Sequence, residues 1–322
     1  MPTSKFPYGV SSFGWPVLPQ AGSKPVGFNG PGSSSAPGSN VFFVNSATKL
    51  AADSAGSNGK SPGTPFKTLN YAVAQCVANN GDVIYVGPQH VENVVAAGGL
   101  TIGTAGVTIV MQGNYTDRAQ VLFPSTAATS ASVVISAANV TWFYPYLTTA
   151  VDALATALSI TGANCTLVGV DFVNPLATCI LIQIITAATA NNLRIYGMTS
   201  VQTGTITGTQ PTECIRIVGG SGHQFQDLNL TGNFSTAVFN NITTAFLGAN
   251  FVRCFMNQLN TTPELVMAVL TTSTGNGSQV ELVLQKASQT TYSTFITASN
   301  IMTFDIASSY VSPGEAPALI YT

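Results

Sequence analysis

The chain of 322 residues carries 10 basic and 12 acidic side chains, which make up 7% of its residues, while 45% are hydrophobic. Disordered chains are charge-rich and apolar-poor, and long coiled coils are rich in Glu, Lys and Arg, so this composition excludes both classes. A net charge of −2 argues against a nucleic-acid partner, because binding a phosphate backbone needs clustered Lys and Arg. The abundance of Ser, Thr, Asn and Gly favours strands and turns and predicts a mainly β protein.

The sequence has no recognisable targeting or membrane segment. Its start, MPTSKFPYGVSSFGWPV, lacks the apolar stretch of a secretory signal peptide. No run of residues approaches the roughly 18 apolar residues of a membrane helix, so we expect synthesis in the cytoplasm and no membrane partner. The cysteines are odd in number and match no zinc spacing. We predict buried free thiols at Cys76, Cys165, Cys179, Cys214 and Cys254.

Residues 1–40 are rich in Gly, Pro and Ser, which is typical of an extended arm. Four aromatic side chains nevertheless fall within ten residues, and a solvated tail has few aromatics. The arm either folds back on its own domain or anchors into a neighbouring subunit. The candidate assembly contacts are Phe6, Tyr8, Phe13 and Trp15.

Ordered structure is predicted to begin with a strand at VFFV (41–44), followed by a turn-rich loop at 53–63. The next segment predicts a cap helix near residues 65–79, with Thr64 as its N-cap and Pro65 at its first position. Apolar residues at 69, 73, 76 and 77 lie on one face of this helix, and the Asn-Asn-Gly at 79–81 ends it.

A repeat then emerges, in which two apolar residues two apart are followed by a turn and by two more. Three copies share the offsets 0, 2, 7 and 9, and looser copies start near 182, 215 and 239. Alternation buries one strand face, and a period in the twenties predicts stacked coils whose Asn, Thr and aliphatic residues form ladders. An antiparallel sandwich is the competing prediction. The three strict copies are Leu100, Ile102, Val107 and Ile109; Val133, Ile135, Val140 and Trp142; and Leu158, Ile160, Cys165 and Leu167.

The last segment, 262–322, breaks this pattern. Residues 264–270 and 279–284 are strand-like, and Asn276-Gly277 between them is a strong hairpin signal. We predict a separate antiparallel β element or a cap of the solenoid.

Residues 41–94, and above all SPGTPFKTL and GDVIYVGPQHVENV, resemble the opening of right-handed parallel β-helix proteins of the pectate-lyase-like superfamily, in the version found in tailed-phage virions. The resemblance extends to about residue 255, and KFPYGVSSFG at the start resembles the arm of phage structural proteins. It implies a right-handed parallel β-helix over 41–261 in a homotrimeric virion component. The implied role is a capsid decoration (cement) protein on the capsid surface, with the major capsid protein as partner.

The alternative function is a tail or head spike that binds or depolymerises host polysaccharide. Glycoside hydrolysis needs two carboxylates roughly 5–9 Å apart, and Asp171 and Asp227 both follow the second strand of a coil, so they could stack. The pair His90 and Glu92 offers only two metal ligands and is expected to be structural. We therefore expect no catalytic, metal or cofactor site. The other carboxylates considered are Asp117, Asp152, Glu213 and Glu264.

One aromatic cluster, WFYPY, contains Trp142, Tyr144 and Tyr146. These rings could stack on the sugars of a host surface glycan or pack between subunits, and we favour subunit contacts because a trimer must bury area.

Overall fold

The computed structural model describes residues 39–54, 58–173, 175–242 and 248–260, apart from the side chain of residue 115. It also describes the backbone of short strands at 11–12, 15–16, 265–269, 277–286, 296–297, 302–305, 309–310 and 318–319. The predicted arm contacts Phe6, Tyr8 and Phe13 lie outside the described residues, and of Trp15 only the backbone is described.

Within these residues the chain forms one short α-helix, α1 (Leu69–Gln75), one 3₁₀ turn (Tyr115–Asp117) and many strands. The first strands are β1 (Ser11–Ser12), β2 (Trp15–Pro16), β3 (Val41–Val44), β4 (Val83–Val86), β5 (Val91–Asn93), β6 (Leu100–Ile102), β7 (Thr108–Met111), β8 (Gln120–Phe123), β9 (Val133–Ile135), β10 (Thr141–Phe143), β11 (Tyr146–Thr149) and β12 (Leu154–Ile160). The others are β13 (Thr166–Val173), β14 (Ile180–Thr186), β15 (Arg194–Val201), β16 (Glu213–Ile217), β17 (Gln224–Gly232), β18 (Ala237–Asn241), β19 (Asn250–Gln258), β20 (Leu265–Val269), β21 (Gly277–Lys286), β22 (Ile296–Thr297), β23 (Met302–Asp305), β24 (Ser309–Tyr310) and β25 (Ala318–Leu319).

Two parallel sheets run the length of the described body and form a β-solenoid. A 13-stranded sheet runs from β3 to β23, and an 8-stranded sheet runs from β6 to β22. Each full coil contributes one strand to the 8-stranded sheet and one long or two short strands to the 13-stranded sheet. The structure therefore confirms the predicted parallel solenoid and excludes the antiparallel sandwich.

The interior consists of stacked columns of apolar side chains. In the 13-stranded sheet, register places Trp142 between Ile109 and Leu167, and all three are fully buried. The twelve residues of the strict repeat are all buried, so the repeat correctly predicts the core. One detail of the looser repeat is wrong: Ile184, not Ile182, pairs with Leu158. Strand β14 contains isoleucines at 180, 182, 184 and 185, so its sequence fits more than one register.

The turns between the two sheets stack as an asparagine ladder, as the repeat predicts. Asn139, Asn164 and Asn192 adopt positive φ angles of 60°, 57° and 55°. Their side chains are linked: Asn164 Nδ2 donates to Asn139 Oδ1 at 3.2 Å, and Asn192 Nδ2 donates to Asn164 Oδ1 at 2.9 Å. Asn tolerates the left-handed region better than most residues, so the same residue satisfies both the turn and the ladder.

The cap helix is shorter than predicted, because it begins at Leu69 and ends at Gln75. Thr68, not Thr64, is the N-cap, and its hydroxyl accepts the N–H of Tyr71 at 3.2 Å. The Asp53 carboxylate in turn accepts the backbone N–H groups of Lys67 and Thr68. Thus the Asp53 loop organises the start of the helix.

The predicted C-terminal hairpin is wrong. β20 pairs in parallel with β18, and β21 pairs in parallel with β19, so the two strands lie in different sheets. An apolar strand that follows a coil can continue the stack, and the Asn-Gly turn signal does not distinguish this connection from a hairpin. The division of the chain at residues 40 and 261 stays a prediction.

Candidate functional site

Each described carboxylate considered for catalysis is held by its own donors. Glu264 lies outside the described residues. The donors are Gln89 for Asp117, Thr209 for Asp152, Arg118 for Asp171, Arg216 and Asn240 for Glu213, and Arg253 for Asp227. Hydrogen bonds from Thr209 and from Arg253 hold the pKa values of Asp152 and Asp227 below the ordinary aspartate value. A general acid needs a raised pKa, so these two carboxylates do not fit that role.

Asp171 and Asp227 do not stack, which corrects the sequence prediction. Asp171 pairs with Thr199, and Thr199 pairs with Asn229, two residues beyond Asp227. The two carboxylates are therefore two coils apart and in different columns. Asp227 takes a positive φ of 56° at a bend of the sheet, a position that strand alternation alone does not identify.

Glu213 is the most buried of these acids, since its side chain is 1% exposed. Its Oε2 accepts from Arg216 Nε at 2.5 Å, and its Oε1 accepts from Arg216 Nη2 at 2.8 Å and from Asn240 Nδ2 at 2.7 Å. The carboxylate is therefore fully engaged in a bidentate ion pair and an amide hydrogen bond.

The His90–Glu92 pair is structural. His90 Nδ1 accepts the N–H of Ser46 at 2.9 Å, which leaves the other ring nitrogen, Nε2, to donate to Glu92 Oε2 at 3.0 Å. The same carboxylate oxygen accepts the N–H of Leu69 at 2.7 Å. The pair thus ties the first coil to the first turn of the cap helix.

Metal and thiol chemistry find no support in the described part of the chain. Among these residues, no three His, Cys, Asp or Glu side chains are grouped so that they could hold a metal ion. All five cysteines are free; four are buried and Cys76 is half-buried. Burial raises the thiol pKa of Cys76 to about 12 and that of Cys165 to about 11, which disfavours the reactive thiolate. No helix in the described residues is long and apolar enough to cross a membrane.

The three aromatic residues of WFYPY point in different directions. Trp142 is fully buried in the core, so its prediction as a glycan or subunit contact is wrong; it lies on the inward face of β10, where alternation places it. Tyr144 is 40% exposed. Tyr146 is half-buried, with the guanidinium of Arg118 4.4 Å from the centre of its ring. The two tyrosines remain surface candidates.

The outer face of the 13-stranded sheet carries a feature that the sequence analysis missed. Eight strands, β3, β4, β7, β10, β13, β15, β17 and β19, each contribute one half-buried side chain that stacks in register along this face, and we call this column the outer stripe. Its members are Phe43, Tyr85, Val110, Phe143, Val168, Tyr196, Gln226 and Val252. Gln226 is the single non-aromatic polar member, and none is charged. The corresponding column of the 8-stranded sheet is mixed, with Thr101, Val134, Ser159, Ile185, Arg216 and Asn240.

A second missed feature is an open groove of about 430 Å³ at the corner where the 13-stranded sheet gives way to the 8-stranded sheet. Its polar lining comes from Thr205, Gln210, Asn233 and Asn260. These residues come from three connections, after β15, β17 and β19. The length of the 202–212 connection is the sequence signal that could have indicated the groove.

The class of protein that this fold defines is a parallel β-solenoid. The sequence matches no family model and no curated protein. Among solved structures, the chain is similar to a rhamnogalacturonan lyase, with 14% identity and a TM-score of 0.37. The alignment covers 87% of this chain and 64% of the lyase chain, so it spans less than two thirds of the lyase's length.

Proposed function

We propose that this chain is a structural protein that works as a homotrimer, with the solenoid as a non-catalytic body. The observation that carries the proposal is the outer stripe. A contiguous column of apolar side chains that stay only half-buried in the single chain is typical of an interaction site, and this column continues through every coil of the described solenoid. With strands about 4.8 Å apart, eight stacked positions extend for roughly 34 Å.

A second copy of the chain fits the stripe better than a charged partner does. The stripe has no charge to pair with, whereas a copy with its axis parallel would present the same uncharged column. Three copies around an axis parallel to the solenoid would bring three stripes together. Paired aromatic rings such as Phe43 and Tyr85, whose centroids are 5.9 Å apart, offer large areas for such burial.

Introducing a charge into the stripe should separate the subunits. In a trimer, Val168→Glu would bury an unpaired carboxylate at the subunit interface, which is costly. We expect the wild-type chain to have three times its monomer mass of 33.3 kDa by light scattering, and the variant to have the monomer mass. Val134→Glu is the matched control, because Val134 is a half-buried valine on the outer face of the other sheet. A monomeric wild type, or a trimeric Val168→Glu variant with native circular dichroism, would contradict the proposal.

From the sequence resemblance we propose that this trimer decorates a phage capsid. The aromatic arm, residues 1–40, holds the trimer on the capsid. Substituting Phe6, Tyr8, Phe13 and Trp15 with Ser should abolish co-sedimentation with capsids that lack this protein. The thermal midpoint of the solenoid should stay unchanged, since in this proposal the arm contacts the capsid and not the solenoid core. Normal co-sedimentation of the variant would show that the arm is not the anchor.

A further inference from the structure

We infer that the corner groove is a binding site for an uncharged, hydroxyl-rich ligand, namely a neutral oligosaccharide. Its volume of about 430 Å³ lies within the range of roughly 300–1,000 Å³ that is usual for small-ligand sites. The inference does not depend on trimer formation or on the capsid, because no residue of the outer stripe lines the groove.

The chemical groups that line the groove indicate the class of ligand that it would bind. The groove is lined by three amide side chains, one hydroxyl, two glycines and one isoleucine, and none of these groups is ionisable. Gln210 Nε2 donates to Asn233 Oδ1 at 2.9 Å. This bond leaves the carbonyl of Gln210 and the amino group of Asn233 without a protein partner among the described residues. An acceptor and a donor from neighbouring amides suit hydroxyl groups, each of which both donates and accepts.

The groove is held in place by buried hydrogen bonds on its floor. Gln258 is fully buried, and its side-chain amide accepts from the N–H of Phe234 at 2.9 Å and donates to the carbonyl of Phe234 at 3.0 Å. Asn260 Nδ2 donates to the same carbonyl at 3.2 Å. The backbone that carries Asn233 is therefore fixed from below by the next coil.

The wall formed by residues 204–210 is also fixed. Asp152 accepts the N–H of Thr209 at 3.0 Å and its hydroxyl at 2.8 Å. The N–H groups of Thr207 and Gly208 donate to the carbonyl of Leu176. A Cβ at Gly208 would lie 2.3 Å from the carbonyl oxygen of Ala177, so only glycine allows this close approach. A site that is formed before binding loses less entropy when the ligand arrives.

A peptide fits this groove less well. Peptides bind through apolar anchors or by adding a strand to an open sheet edge. The lining offers one apolar side chain, Ile206, and the wall backbone at 207–209 is already bonded to the body. What the groove presents is side-chain amides and a hydroxyl, which match sugar hydroxyls.

Calorimetric titration of the full chain with a panel of neutral linear hexasaccharides and one uronic-acid hexasaccharide tests the inference. We expect at least one neutral sugar to bind, the uronic-acid sugar not to bind, and the affinity to stay within twofold between 50 mM and 500 mM salt, since the lining has no charge to be screened. Asn233→Asp should weaken binding at least tenfold, because a carboxylate loses the amino donor. Asn229→Asp, at an exposed position of β17 outside the groove, should leave the affinity unchanged.

Other results of this titration would overturn the inference. It fails if no neutral sugar binds, if Asn233→Asp binds as well as wild type, or if only the uronic-acid sugar or an unstructured peptide control binds. The monomeric Val168→Glu chain should bind the sugar with wild-type affinity. Sugar binding by the monomeric variant therefore tests the groove independently of the proposed trimer.

Discussion

Replacing Trp142 with Ala is expected to destabilise the solenoid by about 3–5 kcal/mol, the range for removing a large aromatic side chain from a core. Trp142 is fully buried between Ile109 and Leu167 of the neighbouring coils. Its indole Nε1 has no hydrogen-bond acceptor among the described residues, so packing holds the side chain in place. The cavity left by Ala cannot be filled by β7 or β13, because their backbones are fixed by the sheet.

The control is Phe143→Ala, one residue further along the same strand. Phe143 is half-buried on the outer face, so its removal should cost the monomer less than about 1 kcal/mol. Guanidinium-induced unfolding, followed by far-ultraviolet circular dichroism of the monomeric Val168→Glu chain, measures both free energies of unfolding. If Trp142→Ala cost no more than Phe143→Ala, Trp142 would not be a core residue, and its sequence-based prediction as a surface contact would regain support.

Trp142 also illustrates what the sequence could and could not predict. The apolar repeat correctly places residue 142 on the inner face, because strand alternation is a local property. The prediction that Trp142, Tyr144 and Tyr146 form one contact surface is inconsistent with that same alternation. Neighbouring residues 142 and 143 face opposite sides, and Tyr144 sits at a positive φ of 57° where the sheet bends.

The missed features depend on register between coils. The outer stripe becomes visible only when Phe143 is known to pair with both Val110 and Val168, which are 33 and 25 residues away in sequence. Likewise, the groove needs Asn233 and Gln210 to meet across a connection. Coil lengths here vary with the loops, so a fixed period cannot give these pairings.

The helix start was mispredicted for a similar reason. Thr64-Pro65 has the local signature of a helix start, but Phe66 is in the core, 5.7 Å from Phe42 between ring centroids. Burial of Phe66 in an extended segment bridged to Val44 delays the helix to Leu69. A tertiary contact thus overrides the local capping signal.

Several of the few charged side chains in the body are paired with one another. Among the described residues, four pairs of ionisable side chains lie within ion-pair distance of each other: His90–Glu92, Arg118–Asp171, Arg216–Glu213 and Arg253–Asp227. Two of these pairs, Arg118–Asp171 and Arg253–Asp227, join different coils, whereas Arg216–Glu213 lies within β16 and His90–Glu92 lies within one coil. The outer stripe and the groove lining carry no charged side chain.

Glu213→Ala is the second substitution with a large expected effect, a loss of about 3 kcal/mol in the free energy of unfolding. The change removes the partner of Arg216, whose pKa is raised by its hydrogen bond to Glu213, and also leaves the buried Asn240 amide without its acceptor. Breaking one side of a buried ion pair typically costs about 3–5 kcal/mol. We expect a value at the lower end of this range because the Arg216 side chain is 25% exposed, so water can partly solvate its charge once Glu213 is removed. Asp117→Ala, which removes an exposed acid with one amide partner, Gln89, should cost less than about 0.5 kcal/mol.

The double variant Glu213→Ala/Arg216→Ala separates a structural role of Glu213 from a catalytic one. If the carboxylate has the structural role of pairing with Arg216 on the same strand, removing both partners should cost at least about 1 kcal/mol less than the sum of the two single changes, since residues in one ion pair couple strongly. A catalytic carboxylate would behave in the opposite way. Glu213→Ala would then leave the unfolding energy near that of wild type while abolishing the release of reducing ends from host envelope polysaccharide by the wild-type chain. That pair of results would overturn the structural function proposed here. Glu213 is the most buried of the described acids considered, and it directly follows the 202–212 connection, part of which lines the groove.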